Sequence, residues 1–359
     1  MKVAFITRST LYDVPGGGAV QIIETAKHLR ELGVEVKIYL TNEKISYDEF
    51  DLLHFFDIIR PANILYHIKK TNKPFAISPV LVDYSEYDRQ YRKGISGFIF
   101  RLFPANTNEY IKTVSRWIFG KDVLRSKEYL WKGHRKSIKE ILHKAGMLLP
   151  NSKAEYEQIK KIYSTDRPYT IVPNGIDEKL FREDISVIKD KKLVICAARI
   201  EGIKNQLNLI KALNNTDFRL LLIGEVTPNQ KNYYHRCRQI AANNIEFTGR
   251  LSQEELVTYY NKAKVHILPS WFETCGLSSL EAAAMGCNIV ITGKGFAGDY
   301  FGNTAVYCDP GKPESIYNAV VQASGYETSE ELQKNILERF TWKQAASATL
   351  EAYKKLIST

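Results

Sequence analysis

The sequence predicts an α/β protein made of two doubly wound β-α-β domains, and three observations carry that reading. At 359 residues the chain is long enough for two domains with separate cores. It opens with a buried-type strand, a glycine-bearing turn, a helix and a second strand, and a second such series opens at Leu193. Between the two runs, charged and mixed sequence from Glu178 to Lys192 reads as a linker.

Taken in order, Lys2 to Thr7 is the first strand, followed by a loop holding Pro15, Gly16, Gly17 and Gly18. A helix from about Ala19 to Leu32 ends at Gly33, and Val34 to Leu40 forms the second strand. The turn lacks G-x-G-x-x-G because Gln21 takes the last glycine position, and only the displaced Glu43 follows the second strand. That argues against a dinucleotide oxidoreductase. Asp51–Phe56 and Lys73–Leu81 read as strands, with His54 more a packed strand residue than a catalyst. Gly146–Pro150 leads to Asn151 and Ser152, which cap a helix from Lys153 to about Ile162. Tyr169–Val172 reads as a short strand before the turn Pro173–Asp177, PNGID.

From Tyr84 to Lys144 the pattern is least regular, and basic and aromatic residues interleave. Arg89, Tyr91, Arg92, Lys93, Phe98, Phe100, Arg101 and Phe103 are followed by Trp117, Phe119, Lys121, Trp131, Lys132 and Arg135. Two readings are open. Amphipathic helices could lie on an anionic bilayer surface or cradle a lipid-linked acceptor. Ordinary helices with an aromatic buried face and a basic solvated face would give the same pattern.

In the second half, Leu193–Ala198 is followed by Arg199, Gly202, Lys204 and Asn205 before a helix at Gln206–Leu213. Further strands are read at Arg219–Gly224 and Asn244–Thr248, and a helix at Gln253–Ala263. A late strand ends at Asp309 and Pro310, helices start at Pro313 and Ser329, and Phe340, Thr341 and Trp342 introduce a last helix. An arginine and a lysine five residues apart, at a strand's end and a helix's start, suit a diphosphate clamp. Two surface cations would look the same.

The stretch Leu268–Thr292, LPSWFETCGLSSLEAAAMGCNIVIT, carries the chemistry. A strand tail breaks at Pro269 and Ser270, Glu273 sits in the loop, and a small-residue helix begins near Leu277 with Glu281 about one turn in. Gly276, Leu277 and Ser278 fall where the free N–H groups of a helix start would point. Such an end favours anions through its unpaired donors and the macrodipole. Phosphates would take those N–H groups while the carboxylates accept hydrogen bonds from sugar hydroxyls.

With E-x7-E, R-x4-K after a strand, and PNG-I-D in one chain, the sequence resembles the retaining glycosyltransferases of GT-B architecture, glycosyltransferase family 4 (glycosyl transferases group 1). The likeness covers nearly the whole chain, strongly in its second half. It implies two Rossmann-like domains facing across a cleft: residues 1–180, completed by a final helix at 342–359 that crosses back, for the acceptor, and 190–341 for the nucleotide-sugar. It implies that Glu281 accepts the ribose hydroxyls and Glu273 holds a sugar hydroxyl. Arg199 and Lys204, with the N–H groups of Gly276, Leu277 and Ser278, would stabilise the departing diphosphate. The nucleobase would lie near Arg250 and Leu251. Gly17, Gly18 and Asn174 would lie beside the cleft. Asp83 stands where members carry the aspartate of a histidine–aspartate pair, but no histidine precedes it here.

The implied reaction moves a hexose-type sugar from a nucleotide diphosphate donor, a UDP-sugar before a GDP-sugar, to a glycan or lipid-linked acceptor hydroxyl. No D-x-D motif stands in a convincing place, so no metal or other cofactor is expected. The formal charge of +10 raises nucleic acid as a partner, but no zinc-finger spacing, RNP-type motif or helix-turn-helix signature accompanies it. The apolar start is too short for a signal peptide and the five cysteines are odd in number and scattered. Both point to a cytoplasmic protein, one that could rest on the inner face of a membrane. Two alternatives share these features: a sugar-nucleotide epimerase of similar architecture, and a non-catalytic sugar-nucleotide-binding protein.

Overall fold

A computed structural model of the chain describes residues 1–12, 16–91, 97, 100–120 and 123–358. Pro15 of the glycine-bearing loop, and Arg92, Lys93, Phe98 and Lys121 of the basic and aromatic stretch, lie outside the described residues. The chain divides into two compact units, Met1–Asn174 with Trp342–Thr359, and Gly175–Thr341.

In the first unit five parallel strands, β1 (Lys2–Thr7), β2 (Glu35–Leu40), β3 (Leu52–Phe56), β4 (Phe75–Ser78) and β5 (Met147–Leu148), line up as β2-β1-β3-β4-β5. Strand β3 is buried at every position, as expected of a parallel strand covered on both faces. The direction of the strand order reverses between β1 and β3, which makes that edge the place where such sheets bind ligands. The first helix, Gly17–Glu31, packs against the last, Trp342–Ile357. His54 on β3 bonds through Nδ1 to the Tyr353 hydroxyl of that last helix at 2.6 Å, and through Nε2 to Ser78 Oγ at 2.9 Å. Burial pulls its pKa down to about 3, so it is a neutral core residue.

In the second unit six parallel strands, β6 (Asp190–Ala197), β7 (Arg219–Ile223), β8 (Ile245–Gly249), β9 (Ala263–Leu268), β10 (Asn288–Thr292) and β11 (Val306–Cys308), line up as β11-β10-β9-β6-β7-β8. This is the classic order of a Rossmann sheet, with its reversal between β6 and β9. Strands β9 and β10 are buried throughout, and the helix Leu277–Ala284 lies between them in sequence. Its alanines Ala282 to Ala284 are fully buried. All five cysteines are buried free thiols. Among the described residues no helix is long and apolar enough to cross a membrane.

Two expectations need correction. Tyr169–Val172 is not a strand: Tyr169 makes one isolated bridge to Leu148. The segment still runs beside β5, with the Thr170 and Val172 N–H groups donating to the Leu148 and Pro150 carbonyls at 3.0 and 2.9 Å. The stretch Glu178–Lys192 is not a free linker, because it packs on the second unit. Phe181 is buried there, and Lys189 Nζ donates to the carbonyls of Tyr260, Asn261 and Met285 at 3.1, 3.2 and 2.6 Å. Its last three residues already belong to β6.

Candidate functional site

At the C-terminal ends of β6 and β9, the second unit's reversal point, the structure brings together residues distant in sequence. After β6 the chain makes a short turn, Gly202–Lys204, and Asn205 follows at φ +60°. Its side-chain amide donates to the Pro269 carbonyl beyond β9 at 3.0 Å and to the Pro310 carbonyl beyond β11 at 2.8 Å. This buried amide ties three loops together and fixes where Lys204 points. The Trp271 N–H adds a 2.9 Å bond to the Ile203 carbonyl.

Lys204 Nζ meets Glu273 Oε2 at 2.7 Å, and Ser270 Oγ donates to the same oxygen at 2.9 Å. Burial alone would pull the lysine's pKa down, but the charge and hydrogen bond of Glu273 outweigh it and the net shift is upward. Lys204 therefore stays a cation. Backbone bonds hold Glu273 on both sides, from its N–H to the Lys294 carbonyl at 3.1 Å and from the Phe296 N–H to its carbonyl at 2.8 Å. Between those partners stands Gly295 at φ +109°, where a Cβ would sit 2.0 Å from the Glu273 carbonyl oxygen. Only glycine permits that approach.

Gly276, at φ +70°, turns the chain into the helix Leu277–Ala284. The first N–H groups of that helix have no intrahelical acceptor, and Leu277 and Ser278 are partly accessible there. Glu281 lies one turn on, also partly accessible, and accepts a 3.4 Å hydrogen bond from the buried Tyr260 hydroxyl. Burial pushes its carboxyl pKa up to about 8. Arg199 follows β6 and pairs with Glu201 at 2.8 Å with its side chain one-third exposed. Arg250 and Leu251 sit farther along the sheet, after the edge strand β8. Arg250 is largely exposed, 3.8 Å from Glu225, and Leu251 packs on the unit's core.

The first unit gathers its expected residues less. Gly17 and Gly18 open the helix Gly17–Glu31 after β1, and a Cβ on Gly18 would meet nothing within 4 Å. Asp83 is exposed and accepts from the Ser85 N–H at 2.8 Å, a local turn contact. Asn174 is buried at the end of the unit.

Residues absent from the sequence reading stand at this edge instead. Asp57, directly after β3, adopts φ +68°, a conformation few non-glycine residues take. Its Oδ1 is buried with no hydrogen-bond partner among the described residues, and Arg60 Nε lies 3.9 Å from its Oδ2. Burial raises its pKa against the opposing charges of Arg60 and Arg8, the residue after β1. Glu155 is buried at the start of the helix Lys153–Tyr163. It accepts from the Leu81 N–H at 2.7 Å and the Asn151 N–H at 2.6 Å, and burial lifts its pKa to about 7. A strained backbone cannot be read from D-I-I-R, so nothing in the sequence marked Asp57. Tyr260 was hidden likewise, as one tyrosine among 21.

Residues 177–339 match the family model for glycosyl transferases group 1. Among curated proteins, the chain is 24% identical over 242 residues to D-inositol 3-phosphate glycosyltransferase of Paenarthrobacter aurescens, covering 61% of this chain and 59% of that one. It is 29% identical over 238 residues to N-acetylgalactosamine-N,N'-diacetylbacillosaminyl-diphospho-undecaprenol 4-alpha-N-acetylgalactosaminyltransferase of Campylobacter jejuni, covering 60% of this chain and 61% of that one. The match thus spans about three fifths of the length of these relatives. Among solved structures, HepE of Anabaena in complex with UDP superposes with a TM-score of 0.72 at 14% identity, covering 99% of this chain and 100% of that one. The fold is therefore the pair of Rossmann-like domains of GT-B glycosyltransferases. Residues 177–339 are thus a domain of the glycosyl transferases group 1 type.

Proposed function

We propose that this protein is a glycosyltransferase that moves a hexose-type sugar from a nucleotide diphosphate donor, a UDP-sugar before a GDP-sugar, to an acceptor hydroxyl with retention of anomeric configuration, as in glycosyltransferase family 4. One observation carries the reading: an ion pair between the partly accessible Lys204 and the buried Glu273 stands beside an open helix start at the β6/β9 reversal point. UDP in the HepE structure favours a uridine donor. The diphospho-undecaprenol in the name of the Campylobacter relative favours a lipid-linked glycan acceptor and a place in cell-surface polysaccharide synthesis.

In this reading the donor diphosphate lies over the N–H groups of Gly276, Leu277 and Ser278, and Lys204 and Arg199 face the oxygens on which charge grows. Glu281 takes the ribose hydroxyls. Glu273, held by Ser270 and Lys204, accepts from a sugar hydroxyl and sets the anomeric carbon's orientation. Arg250 and Leu251 flank the base. The bond from the anomeric carbon to the diphosphate oxygen breaks, a bond to the acceptor oxygen forms on the same face, and the acceptor proton passes to the departing diphosphate. The diphosphate is thus its own base, and no histidine is required. Two fixed cations supply the positive charge that a metal ion supplies elsewhere, so the reaction runs without a metal. In the first unit, Gly17, Gly18, Asp57 and Asn174 handle the acceptor.

The test is product analysis with UDP- and GDP-sugars, with and without a lipid-diphosphate acceptor and with excess chelator. Acceptor-dependent product of unchanged anomeric configuration, formed equally in chelator, supports the proposal. Epimerised or free sugar without acceptor would replace it with an epimerase, and donor binding without any turnover with a binding protein.

A further inference from the structure

None of the residues placed in the proposed transfer lies in the basic and aromatic stretch of the first unit, and the helices of that stretch have an unusual exposure. The helix Ala105–Ile118 has 14 residues, and the one it buries is polar, Asn108. A helix packed on a core buries its apolar stripe. Here Ile111, Val114, Trp117 and Ile118 recur along one face and every one stays accessible. Trp117 is 40% exposed, Ile118 66% and the following Phe119 75%. Leu102 and Phe103 just before the helix, Val123 after it, and Trp131 at the start of the next helix, Tyr129–Lys144, are exposed as well. Of 18 exposed large apolar side chains among the described residues, seven fall between residues 102 and 131.

Charge accompanies them. Counting described residues only, residues 100–144 hold ten Lys and Arg against three Asp and Glu, a net +7 of the chain's formal +10. The three acids are already engaged: Glu109 with Lys112, and Glu128 and Glu140 with Lys132. Arg116, Lys127, Lys136 and Lys139 make no ion pair among the described residues, and the three lysines are exposed. Exposed tryptophan and aliphatic side chains beside unneutralised lysines match a bilayer interface carrying negative headgroups. The rings enter the headgroup region and the ammonium groups stay in the surface potential.

We infer that the surface formed by Ala105–Ile118, its flanking residues Leu102, Phe103 and Phe119, and Trp131 docks the protein on an anionic lipid bilayer. The inference is independent of the transfer reaction, since docking needs neither donor nor acceptor.

The experiment is co-sedimentation of the full chain with phosphatidylcholine vesicles, with and without phosphatidylglycerol, at low and high salt. Binding is expected to vesicles containing phosphatidylglycerol, to weaken with salt, and to fall roughly fivefold for each of Lys127→Gln and Lys136→Gln. The double variant Ile118→Ser/Phe119→Ser is expected to stay in the supernatant while keeping its melting temperature and its affinity for UDP. No binding to anionic vesicles overturns the inference, as does undiminished binding of that variant. A lipid-free dimer of the wild type that the same variant dissociates would also overturn it, assigning the face to a second copy of the chain.

Discussion

The two sheets offer the same topological opportunity and use it differently. At the β6/β9 edge of the second unit, oppositely charged side chains from separate loops meet at 2.7 Å, held by Asn205, Ser270 and Gly295. At the β1/β3 edge of the first unit, the distinctive group is a carboxylate, Asp57, in a strained backbone, with Arg60 near one oxygen and the other buried without a hydrogen-bond partner among the described residues. Under the proposed reaction the contrast has a reason: a nucleotide diphosphate presents fixed charge, so its site can be built and paired in advance. An acceptor presents hydroxyls that differ from enzyme to enzyme, and a group held ready but unsatisfied suits it better. The contrast can be broken or sharpened by mutation.

The largest effect is expected at the pair. In the proposed reaction, Lys204→Ala would remove a charge that faces the leaving group, about 2–4 kcal/mol of transition-state stabilisation, or roughly a hundred- to a thousandfold in kcat. It also leaves Glu273 buried without its partner, which costs about 3–5 kcal/mol of folding stability. Urea unfolding of Lys204→Met should show that loss, and adding Glu273→Gln should restore much of it because the uncompensated charge is gone. Additive losses would mean that the pair is not coupled. Next comes Gly295→Ala, whose Cβ cannot fit against the Glu273 carbonyl. Strain of about 1–3 kcal/mol should lower the melting temperature and weaken donor turnover together. A variant as stable and active as wild type would remove the claim that Gly295 positions Glu273.

The pH dependence is smaller and has a definite sign. Glu281 and Glu155 titrate near 8 and 7 in the folded chain, above their usual 4.5. The folded state thus holds protons that the unfolded state has lost, so stability should fall as pH rises from about 4.5 to about 8. Glu281→Gln should flatten the upper part of that decline and Glu155→Gln the lower part, read from denaturant midpoints across pH. A decline unchanged in both variants would assign it to other groups. The smallest and most selective effect is expected from Asp57→Asn. Acceptor KM should rise roughly tenfold while donor affinity holds, since one charged hydrogen bond is weakened. A loss of donor affinity instead would place Asp57 outside the acceptor's reach.

The sequence revealed these two edges unequally, for a physical reason. Buried strands, the small-residue helix and the spacing of Glu273 to Glu281 are local patterns, so the second unit's sheet and its loops could be placed before any coordinates. The Lys204–Glu273 contact spans 69 residues, and only the β6/β9 adjacency creates it. Asp57 needed a backbone angle, and Tyr260 needed tertiary packing. The helix Lys231–Ile240 is polar along most of its length and buries only Cys237, and Pro61–Ile68 is short and buried on most sides. Both escaped the pattern reading. Tyr169–Val172 shows the opposite failure, since residues that read as a strand pair with the two-residue β5 through a single bridge.

Calorimetric titration of UDP, GDP and ADP into the wild type, Lys204→Ala and Glu281→Ala would address the central claim, that the β6/β9 edge is the nucleotide-sugar site. The account predicts that UDP binds the wild type and that each variant binds at least roughly tenfold more weakly, as expected for lost charge-assisted hydrogen bonds. No binding of any nucleotide, or binding that both variants leave intact, would contradict it.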